Sequence, residues 1–541
     1  MANLLQQSMR ELMVPRAWCL LLLPIFVLLL RYSVSSKRAR KRQRQLDGDD
    51  DDDHLPLPPS PPPLPFFGHL HLIGSLPHVS LRNLATKHGS DLMLLRLGAM
   101  PVLVVSSPRA AEAVLRTHDH VFASRPRSLA AEVVLYGSSD IGFAPYGDHW
   151  RKARKLVTTH LLTVRRVRSF RHAREEEVSK VMAQIAEAAA AGAAVDVGEL
   201  LGSFMNDLAC RAVMGKSSGR TTKQLRQLVA DTSPLLGGFN VEEFFPFLAR
   251  FGVLSKVVRA KSEMLRKKWD ELLDGLIDGH ESTYKPTTAA APASDLKDKD
   301  EDEDFIHILL SVRQEYGLTR EAMKAILLDV FFGGIDTSAS LLEYTMIELI
   351  QRPHVMKKLQ AEVRSSSLPP HQHQQGQEIL RETDLNNMSY LRAVIKESLR
   401  LRTVTPLLAP HLSMSRCAID GLAVPAGVRV LINVWAIGRD PRFWEDAEEF
   451  VPERFLDGGS AADVGFRGTH FQLLPFSAGR RQCPGVNFAM AAVEVMLANL
   501  VHRFDWELPA GKAARDIDMS EEFGLVVHRK EKLLLVPKLH A

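Results

Sequence analysis

The pattern of hydrophobic and polar positions divides the chain into an apolar N-terminal run, a charged and proline-rich stretch, and a long remainder dominated by helical spacing. Alternating or β-branched runs at 91–97, 102–105 and 428–434 predict short strands. Apolar residues at helical spacing predict helices at about 108–116, 148–158, 164–191, 257–280 and 319–350, with further helix up to about Leu401. We therefore expect a mainly α fold with a minor β part (α+β), in one large domain from residue 66 to 541. A stretch rich in Ala, Lys, Asp and Glu, at 285–304, is expected to be a flexible loop.

The N-terminal run favours a membrane anchor. Residues 17–30 are uninterruptedly apolar and lie between Arg16 and Arg31, a length that is short for a spanning helix and also suits a signal peptide. No convincing Ala-x-Ala cleavage site follows, although the small residues of 33–36 keep a cleaved signal open as the alternative. Dense positive charge at 37–44 predicts that this side stays in the cytosol, with a single span in a thin bilayer such as the endoplasmic reticulum.

The segment between anchor and domain is expected to be a solvated spacer. The basic run is followed by an acidic block at 47–53 and then by dense proline at 55–65. Proline at this density favours an extended, semi-rigid chain with little backbone hydrogen bonding. We therefore divide the chain into an anchor at 1–31, a linker at 32–65 and a globular domain at 66–541.

Composition excludes several classes of protein. A net charge of +4 in 541 residues does not favour a nucleic-acid partner. The four cysteines are too few and too scattered for a disulfide scaffold, and none forms a Cys-x-x-Cys pair of the kind that binds zinc. A reducing compartment is the simpler interpretation.

One of these cysteines lies in a distinctive loop, at 476–485, ahead of an apolar helix. Gly479 and Gly485 are expected to supply backbone freedom beside Cys483. A thiolate at Cys483 would be favoured by the positive end of the helix and by Arg481. The alternative is a structural cysteine, because free cysteine is commonly a small buried hydrophobe.

The loop resembles the haem-binding signature of the cytochrome P450 family, Phe-x-x-Gly-x-Arg-x-Cys-x-Gly. All five fixed positions match, and they are Phe476, Gly479, Arg481, Cys483 and Gly485. The resemblance implies the cytochrome P450 fold and a haem b whose iron is bound by the Cys483 thiolate.

A second segment agrees with this resemblance. Adjacent glycines, Gly333 and Gly334, interrupt a long apolar helix and are followed by Asp336 and Thr337. Paired glycines cost helix stability, about 1 kcal/mol each, and by themselves could simply permit close helix packing. In the family they thin the helix beside the iron, and the resemblance makes Asp336 and Thr337 the catalytic residues that deliver protons during oxygen activation.

A third set of residues is charged. Glu397 and Arg400 lie on one face of a predicted helix, where an exposed pair would be a minor salt bridge. Arg454 follows in a Pro-Glu-Arg-Phe segment. The resemblance implies that the three form a buried charge triad behind the haem-ligand loop.

Further residues are implied to bind the haem propionates. Trp150 and Arg154 are one helical turn apart and face the same side, as an ordinary amphipathic basic helix would also have them. The resemblance assigns both to a propionate, together with Arg481. His411 stands where many relatives have a propionate-binding arginine, and the resemblance assigns the same role to it. The charge of His411 is expected to depend on pH.

The resemblance covers about residue 55 to the end and is strongest to the plant microsomal group, through 143–151 and 440–455. It implies a haem-thiolate monooxygenase that inserts one oxygen atom from O2 into a lipophilic small molecule, in specialised metabolism or xenobiotic hydroxylation. Electrons would come from NADPH through NADPH–cytochrome P450 reductase, with the catalytic domain on the cytosolic face of the endoplasmic reticulum. The alternatives are a P450-fold isomerase or dehydratase acting without O2, and a haem-binding protein without turnover.

The resemblance also predicts which segments border the substrate. They are largely apolar, as small-molecule pockets usually are, and lie at about 129–141, 235–247, 331–334, 404–408 and 523–525.

Overall fold

The structure, a computed structural model, describes residues 55–215, 219–237, 241–245, 253–284, 303–365 and 379–540. The predicted anchor at 1–31, the charged part of the linker and nearly all of the predicted loop at 285–304 lie outside these residues.

Helices make up most of the described chain, as expected. In chain order they are α1 Pro77–His88, α2 Pro108–Glu112, α3 Asp119–Phe122, α4 Leu129–Val134, α5 Asp148–Leu156, α6 Val164–Ser169, α7 Arg171–Ala190, α8 Val197–Met214, α9 Gly219–Gly237, α10 Val241–Phe244, α11 Val253–Thr283, α12 Phe305–Ser311, α13 Arg313–Tyr316, α14 Arg320–Gly334, α15 Asp336–Gln351, α16 Pro353–Ser365, α17 Ser389–Leu401, α18 Val434–Ile437 and α19 Val486–Arg503. Two π turns, Ala113–Thr117 and Val157–Leu161, continue α2 and α5.

The strands are short and form small sheets. They are β1 Leu92–Leu97, β2 Met100–Val105, β3 Val195–Asp196, β4 His411–Leu412, β5 Cys417–Ile419, β6 Leu422–Val424, β7 Arg429–Ile432, β8 Phe504–Glu507, β9 Glu521–Glu522, β10 His528–Arg529 and β11 Leu534–Leu539. The largest sheet has the order β1-β2-β7-β4, in which β2 and β7 are parallel and the other neighbours antiparallel. A second sheet has the order β3-β11-β8, and β5–β6 and β9–β10 form two-stranded ribbons.

The core is centred on the long apolar helices. α15 packs against α8, and α19 packs against α7, α16 and α17. Because α19 is covered on several sides, most of its residues are buried, including Val493, Met496 and Leu500. This buried helix follows directly on the cysteine loop and gives that loop a rigid support.

The predicted boundaries differ from the structure where one side chain redirects the backbone. The single helix expected at 164–191 is two helices, because Phe170 leaves helical geometry and its ring packs edge-on against Phe305 at 5.5 Å. The helix expected at 319–350 is likewise two helices, interrupted at Ile335, whose ψ is −69°.

The proline-rich part of the predicted linker belongs to the folded domain. The carbonyl of Pro59 accepts a hydrogen bond from the N–H of Leu94 (3.0 Å), and that of Pro56 accepts one from Ala423 (2.8 Å). Proline lacks an N–H but keeps its carbonyl, so it can still cap a strand edge as an acceptor. The boundary that we placed at residue 65 is therefore too late.

Among the described residues, one helical stretch, Arg320–Gln351, is long and apolar enough to cross a membrane. More than half of its most apolar window is buried in the domain, as expected for a core helix.

Candidate functional site

The cysteine loop is held in a tight conformation by its own backbone. The N–H of Cys483 donates to the carbonyl of Phe476 (2.9 Å), and that of Gln482 donates to Gly479 (3.1 Å). Gly479 has φ +67°, and a Cβ there would come within 2.2 Å of the carbonyl oxygen of Leu115. The prediction for Gly479 is thus confirmed, because no other residue fits without moving the neighbouring turn.

The prediction for Gly485 was wrong. Its φ of −84° is open to any residue, and a Cβ would lie at an ordinary 3.7 Å from Cys483 Sγ. Gly485 is instead the N-cap residue of α19, which begins at Val486.

Cys483 faces a large internal cavity. The cavity has a volume of about 310 Å³, and the thiol contributes to its wall together with Phe476. The cysteine is solvent-accessible although protein atoms surround it, because its free surface faces this cavity. Burial raises the pKa of the thiol, and the N–H of Gly485 and the guanidinium of Arg154 oppose that rise. The cation that favours the thiolate is therefore Arg154, where the sequence had indicated Arg481.

The glycine pair lines the same cavity. A Cβ on Gly333 or Gly334 would meet no atom within 4 Å, so these glycines face open space. Close helix packing, the alternative interpretation of the pair, therefore does not explain them. Together with the interruption at Ile335, they leave a groove in the helix that faces the cavity containing Cys483.

Asp336 and Thr337 follow this groove, and both line the cavity. The hydroxyl of Thr337 donates to the carbonyl of Gly333 (2.8 Å), one turn earlier. Burial raises the pKa of the Asp336 carboxyl, while His528 and Arg226 oppose the rise. A raised pKa makes this carboxyl easier to protonate than an exposed aspartate, which suits a group that takes up a proton and passes it on.

Three guanidinium groups line the cavity: Arg125, Arg154 and Arg481. Burial lowers the pKa of Arg125 to about 9, with a contribution from the charge of Arg481. Burial likewise lowers the pKa of Arg481 to about 10, although Asp140 opposes the shift. Arg125 was missed at the sequence level, because a single arginine in a loop carries no recognisable spacing.

Backbone carbonyls fix the orientation of these arginines. Arg481 donates to three of them, Ala123 (2.6 Å), Ile141 (3.1 Å) and Ala144 (2.6 Å). Arg125 donates to Gly142 (3.0 Å), Ala409 (2.8 Å) and Pro410 (2.9 Å), and Arg154 to Gln482 (2.5 Å). The cations are thus positioned by the chain, in an arrangement that suits a bound anion.

Trp150 and His411 are not part of the cavity wall and lie behind the arginines that line it. The ring of Trp150 packs under the guanidinium of Arg481, 4.2 Å from its centre, and its N–H donates to the carbonyl of Ile141 (3.0 Å). His411 is buried, and its Nδ1 lies 2.8 Å from the carbonyl of Phe122. Burial and then Arg125 hold the pKa of His411 well below its usual range, so the pH-sensitive charge that we expected is wrong for this structure.

The predicted charge triad is assembled. Arg400 binds Glu397 through two hydrogen bonds (2.7 and 2.8 Å), and Arg454 binds the same carboxylate at 3.2 Å. Glu397 and Arg400 are fully buried and Arg454 nearly so. Arg400 also donates to the carbonyls of Gly438, Ala447 and Glu449, at 2.6 to 2.7 Å. The triad therefore ties α17 to the irregular chain before the cysteine loop.

A pair of buried carboxyl groups was not anticipated from the sequence. Asp329 on α14 accepts hydrogen bonds from the N–H groups of Ile141 (2.6 Å) and Gly142 (3.2 Å), and Asp140 accepts one from Phe143 (2.5 Å). Burial, and then the neighbouring Asp140, raise the pKa of Asp329 well above its usual range. A neutral Asp329 thus fixes the loop that carries Ile141 to the helix that lines the cavity.

This pair predicts a pH dependence. Because the pKa of Asp329 is higher in the folded than in the unfolded chain, its contribution to stability is complete below about pH 4 and is lost as the pH rises towards the folded value. Asp329→Asn mimics the protonated acid. The melting temperature of the variant should therefore rise relative to that of the wild type as the pH increases. The control is Asp457→Asn, at an exposed carboxylate. Parallel pH profiles for wild type and Asp329→Asn would contradict a protonated Asp329.

The residues present fit a haem. A thiol on the wall of a cavity is suited to bind an iron ion, and three guanidinium groups on the same wall, two of them buried, suit anions such as two propionates. The helix groove formed by the two glycines lies on that cavity as well.

The segments predicted to border the substrate meet in two cavities. Ile141, Phe332 and Leu525 line the large one. A smaller one, of about 70 Å³, shares Arg125, Phe143 and Leu525 with it, and its wall includes residues from the remaining predicted segments, Leu236, Phe244 and Pro406. Residues 238–240 and 246–247 of the second predicted segment lie outside the described chain.

Comparisons with known proteins agree with this site. A family model described as cytochrome P450 matches residues 58–536. An indole-2-monooxygenase of Zea mays is 53% identical over 534 residues, covering 98% of this chain and 96% of the relative. An indolin-2-one monooxygenase of Zea mays is 49% identical, covering 88% of each chain. Among solved structures, a zebra fish cytochrome P450 with progesterone has a TM-score of 0.68 at 25% identity, covering 85% of this chain and 99% of its own.

Proposed function

The chain belongs to the cytochrome P450 family, and from this premise we propose that it inserts one oxygen atom into an indole or an oxidised indole such as indolin-2-one. It is a monooxygenase acting on lipophilic small molecules, and its family implies haem as the cofactor. The observation that supports an indole is the combination of high similarity to indole-oxidising relatives with a cavity whose wall includes Phe143, Phe332 and Leu525. A flat aromatic bicycle packs favourably against the two phenylalanine rings and the apolar leucine side chain.

The chain's own residues would have distinct roles around the cofactor. Haem bound here supplies the activation of O2. Cys483 would bind the iron, and the three cavity arginines, Arg125, Arg154 and Arg481, would bind the propionates. Trp150 would hold Arg481 in place rather than contact a propionate itself, because its N–H already donates to a carbonyl. Neutral His411, with Nδ1 committed to Phe122, would help to position the segment that carries Ala409.

Proton delivery would fall to Asp336 and Thr337. Burial raises the pKa of Asp336 and so favours uptake of a proton, and the groove at Gly333 and Gly334 gives that proton a path into the cavity. Thr337 already donates to Gly333, so its oxygen can accept a further hydrogen bond on the cavity side.

Product analysis tests the substrate class. The full-length protein, in membranes with a plant NADPH–cytochrome P450 reductase, is supplied with indole, indolin-2-one or 3-hydroxyindolin-2-one under isotope-labelled O2. We expect NADPH-dependent product carrying one labelled oxygen atom from at least one of them. Turnover of unrelated lipophiles with none of the indoles oxidised would overturn the indole assignment, and product formation without NADPH would favour an isomerase instead.

Thr337→Ala tests proton delivery. Loss of the hydroxyl should reduce product formation per NADPH consumed, by up to about 100-fold, because the oxygen that would accept a hydrogen bond on the cavity side and hold the proton path in place is removed. Reducing equivalents should then appear as hydrogen peroxide, measured beside product and NADPH.

The matched control is Thr345→Ala. Thr345 lies two turns further along α15 and makes the same type of hydrogen bond, to Leu341 (2.7 Å), but away from the cavity. Equal product formation per NADPH in Thr337→Ala and wild type would refute the role of Thr337. An equal decrease in Thr337→Ala and Thr345→Ala would mean that the effect comes from a disturbed α15 and not from the hydroxyl at the cavity.

Electron supply and location complete the proposal. NADPH–cytochrome P450 reductase would be the partner, and exposed Lys152 and Lys155 on α5 could contact its acidic surface. The anchor at 1–31 would place the catalytic domain on the cytosolic face of the endoplasmic reticulum. Exposed Leu57 and Leu64 in the proline-rich stretch, and Phe67 directly after it, support contact with a bilayer.

A further inference from the structure

Two histidines and an aspartate converge near the end of α11, outside the cavity. His280 belongs to α11, Asp304 immediately precedes α12, and His307 lies in its first turn. One carboxylate oxygen, Asp304 Oδ2, is 3.0 Å from His280 Nε2 and 3.0 Å from His307 Nδ1. The three atoms all lie within 4.8 Å of one another.

Hydrogen bonds to the backbone fix the orientation of His280 and Asp304. His280 Nδ1 lies 2.7 Å from the carbonyl of Leu276, so Nδ1 carries a hydrogen and Nε2 is the ring nitrogen that faces Asp304. The other oxygen of Asp304, Oδ1, accepts a hydrogen bond from the N–H of His307 (2.9 Å). Metal-binding histidines are commonly oriented in this way, with the second ring nitrogen donating to a carbonyl.

The lone pairs create an electrostatic problem that a cation resolves. A neutral imidazole nitrogen and a carboxylate oxygen repel each other at 3.0 Å unless a proton or a metal ion lies between them. Tetrahedral zinc, with bonds of about 2.0 to 2.1 Å, places its ligands about 3.3 Å apart. Two of the three separations here are close to that value, and two imidazoles with one carboxylate suit zinc better than magnesium or calcium.

We propose that His280, Asp304 and His307 form a binding site for a divalent ion of the zinc class. Asp304 is buried while both histidines are partly exposed, so solvent can provide the fourth ligand. The ion links the end of α11 to the start of α12. It therefore holds together the residues on either side of 285–302. Because Phe305 follows Asp304 and lines the large cavity, the ion also restrains part of the cavity wall.

Zinc titration of the full-length, haem-loaded protein tests the site. The protein is purified without a polyhistidine tag, treated with EDTA and exchanged into chelator-free buffer, and ZnCl2 is then added in a calorimeter. We expect one ion per chain in the micromolar range or tighter, a melting temperature that rises with zinc, and no comparable binding of Mg²⁺ or Ca²⁺.

Three variants locate the ion. His307→Ala removes a partly exposed ligand and should weaken this binding by about 100-fold, and His280→Gln should weaken it similarly while keeping a polar side chain. His354→Ala, at an exposed histidine on α16, should bind zinc as the wild type does.

Two other outcomes of these experiments would contradict the proposed metal site. Equal zinc binding by wild type, His280→Gln and His307→Ala would mean that the ion binds elsewhere, which overturns the proposal. An absence of zinc binding, combined with a loss of stability in His280→Gln that zinc does not affect, would show that the cluster is a histidinium–carboxylate pair only.

Discussion

Replacing Cys483 by alanine is expected to abolish product formation and to remove the characteristic spectrum of the reduced carbon-monoxide complex. Cys483 is the one thiol among the described residues that lines the large cavity, and it is placed there by its hydrogen bond to Phe476 and by the support of α19. Alanine removes the sulfur while leaving the loop geometry, since Gly479 still makes the turn. Haem content, the carbon-monoxide spectrum and indole turnover provide three separate measurements.

The control for this variant is Cys417→Ala. Cys417 lies in β5 and is only partly exposed, so its loss should leave spectrum and turnover close to those of the wild type. If Cys483→Ala retained the full spectrum and activity, the assignment of the iron ligand, and with it the proposed chemistry, would fail. If Cys483→Ala retained haem but lost the thiolate spectrum, Cys483 would be needed as the iron ligand but not for retention of the haem.

The second large effect is expected for the charge triad. Arg400→Ala should destabilise the protein by about 3 to 5 kcal/mol, because it leaves the carboxylate of Glu397 buried, with Arg454 as its remaining cation and the N–H of Val451 as a further donor. Three backbone carbonyls lose their donor as well, and they belong to the chain that leads to the cysteine loop. We therefore expect little or no haem in the purified protein, measured as the ratio of haem to polypeptide.

Two further variants keep this test interpretable. Arg400→Lys retains the charge but cannot make the two-pronged bond to Glu397, so it should fold with a lowered melting temperature and reduced haem content. Arg442→Ala removes an exposed arginine that pairs with Asp440 and Asp91, and should cost no more than about 1 kcal/mol. Normal haem content and stability in both Arg400 variants would mean that the triad does not maintain the site.

The sequence was most informative where function requires particular residue types at fixed spacing. The loop from Phe476 to Cys483 could be recognised because its pattern is local, and so could the glycine pair before Asp336. The triad was expected from the family resemblance, since Glu397 and Arg400 share one short motif and Arg454 stands in another. Strands β1, β2 and β7 followed from alternation and β-branched composition.

The sequence was less informative where a residue acts through a distant neighbour. Arg125 and the pair Asp140–Asp329 have no local pattern, and their importance depends on segments far apart in the chain meeting at the cavity. The interruptions at Phe170 and Ile335 were missed because helical periodicity continues through both positions. Tertiary contacts, such as that of Phe170 with Phe305, override it there.

By itself, then, the sequence indicated the fold class and, through its resemblance to the cytochrome P450 family, the cysteine expected to bind iron and the residues expected to deliver protons, because the motifs that carry the resemblance are local. The tertiary structure alone decided which cation lies near the thiol, that His411 is neutral, that the proline-rich segment belongs to the domain, and that His280 meets Asp304 and His307. The physical reason is that burial and charge are properties of the assembled surroundings. A pKa or an ion site depends on every group within a few ångströms, and the chain order does not reveal which groups those will be.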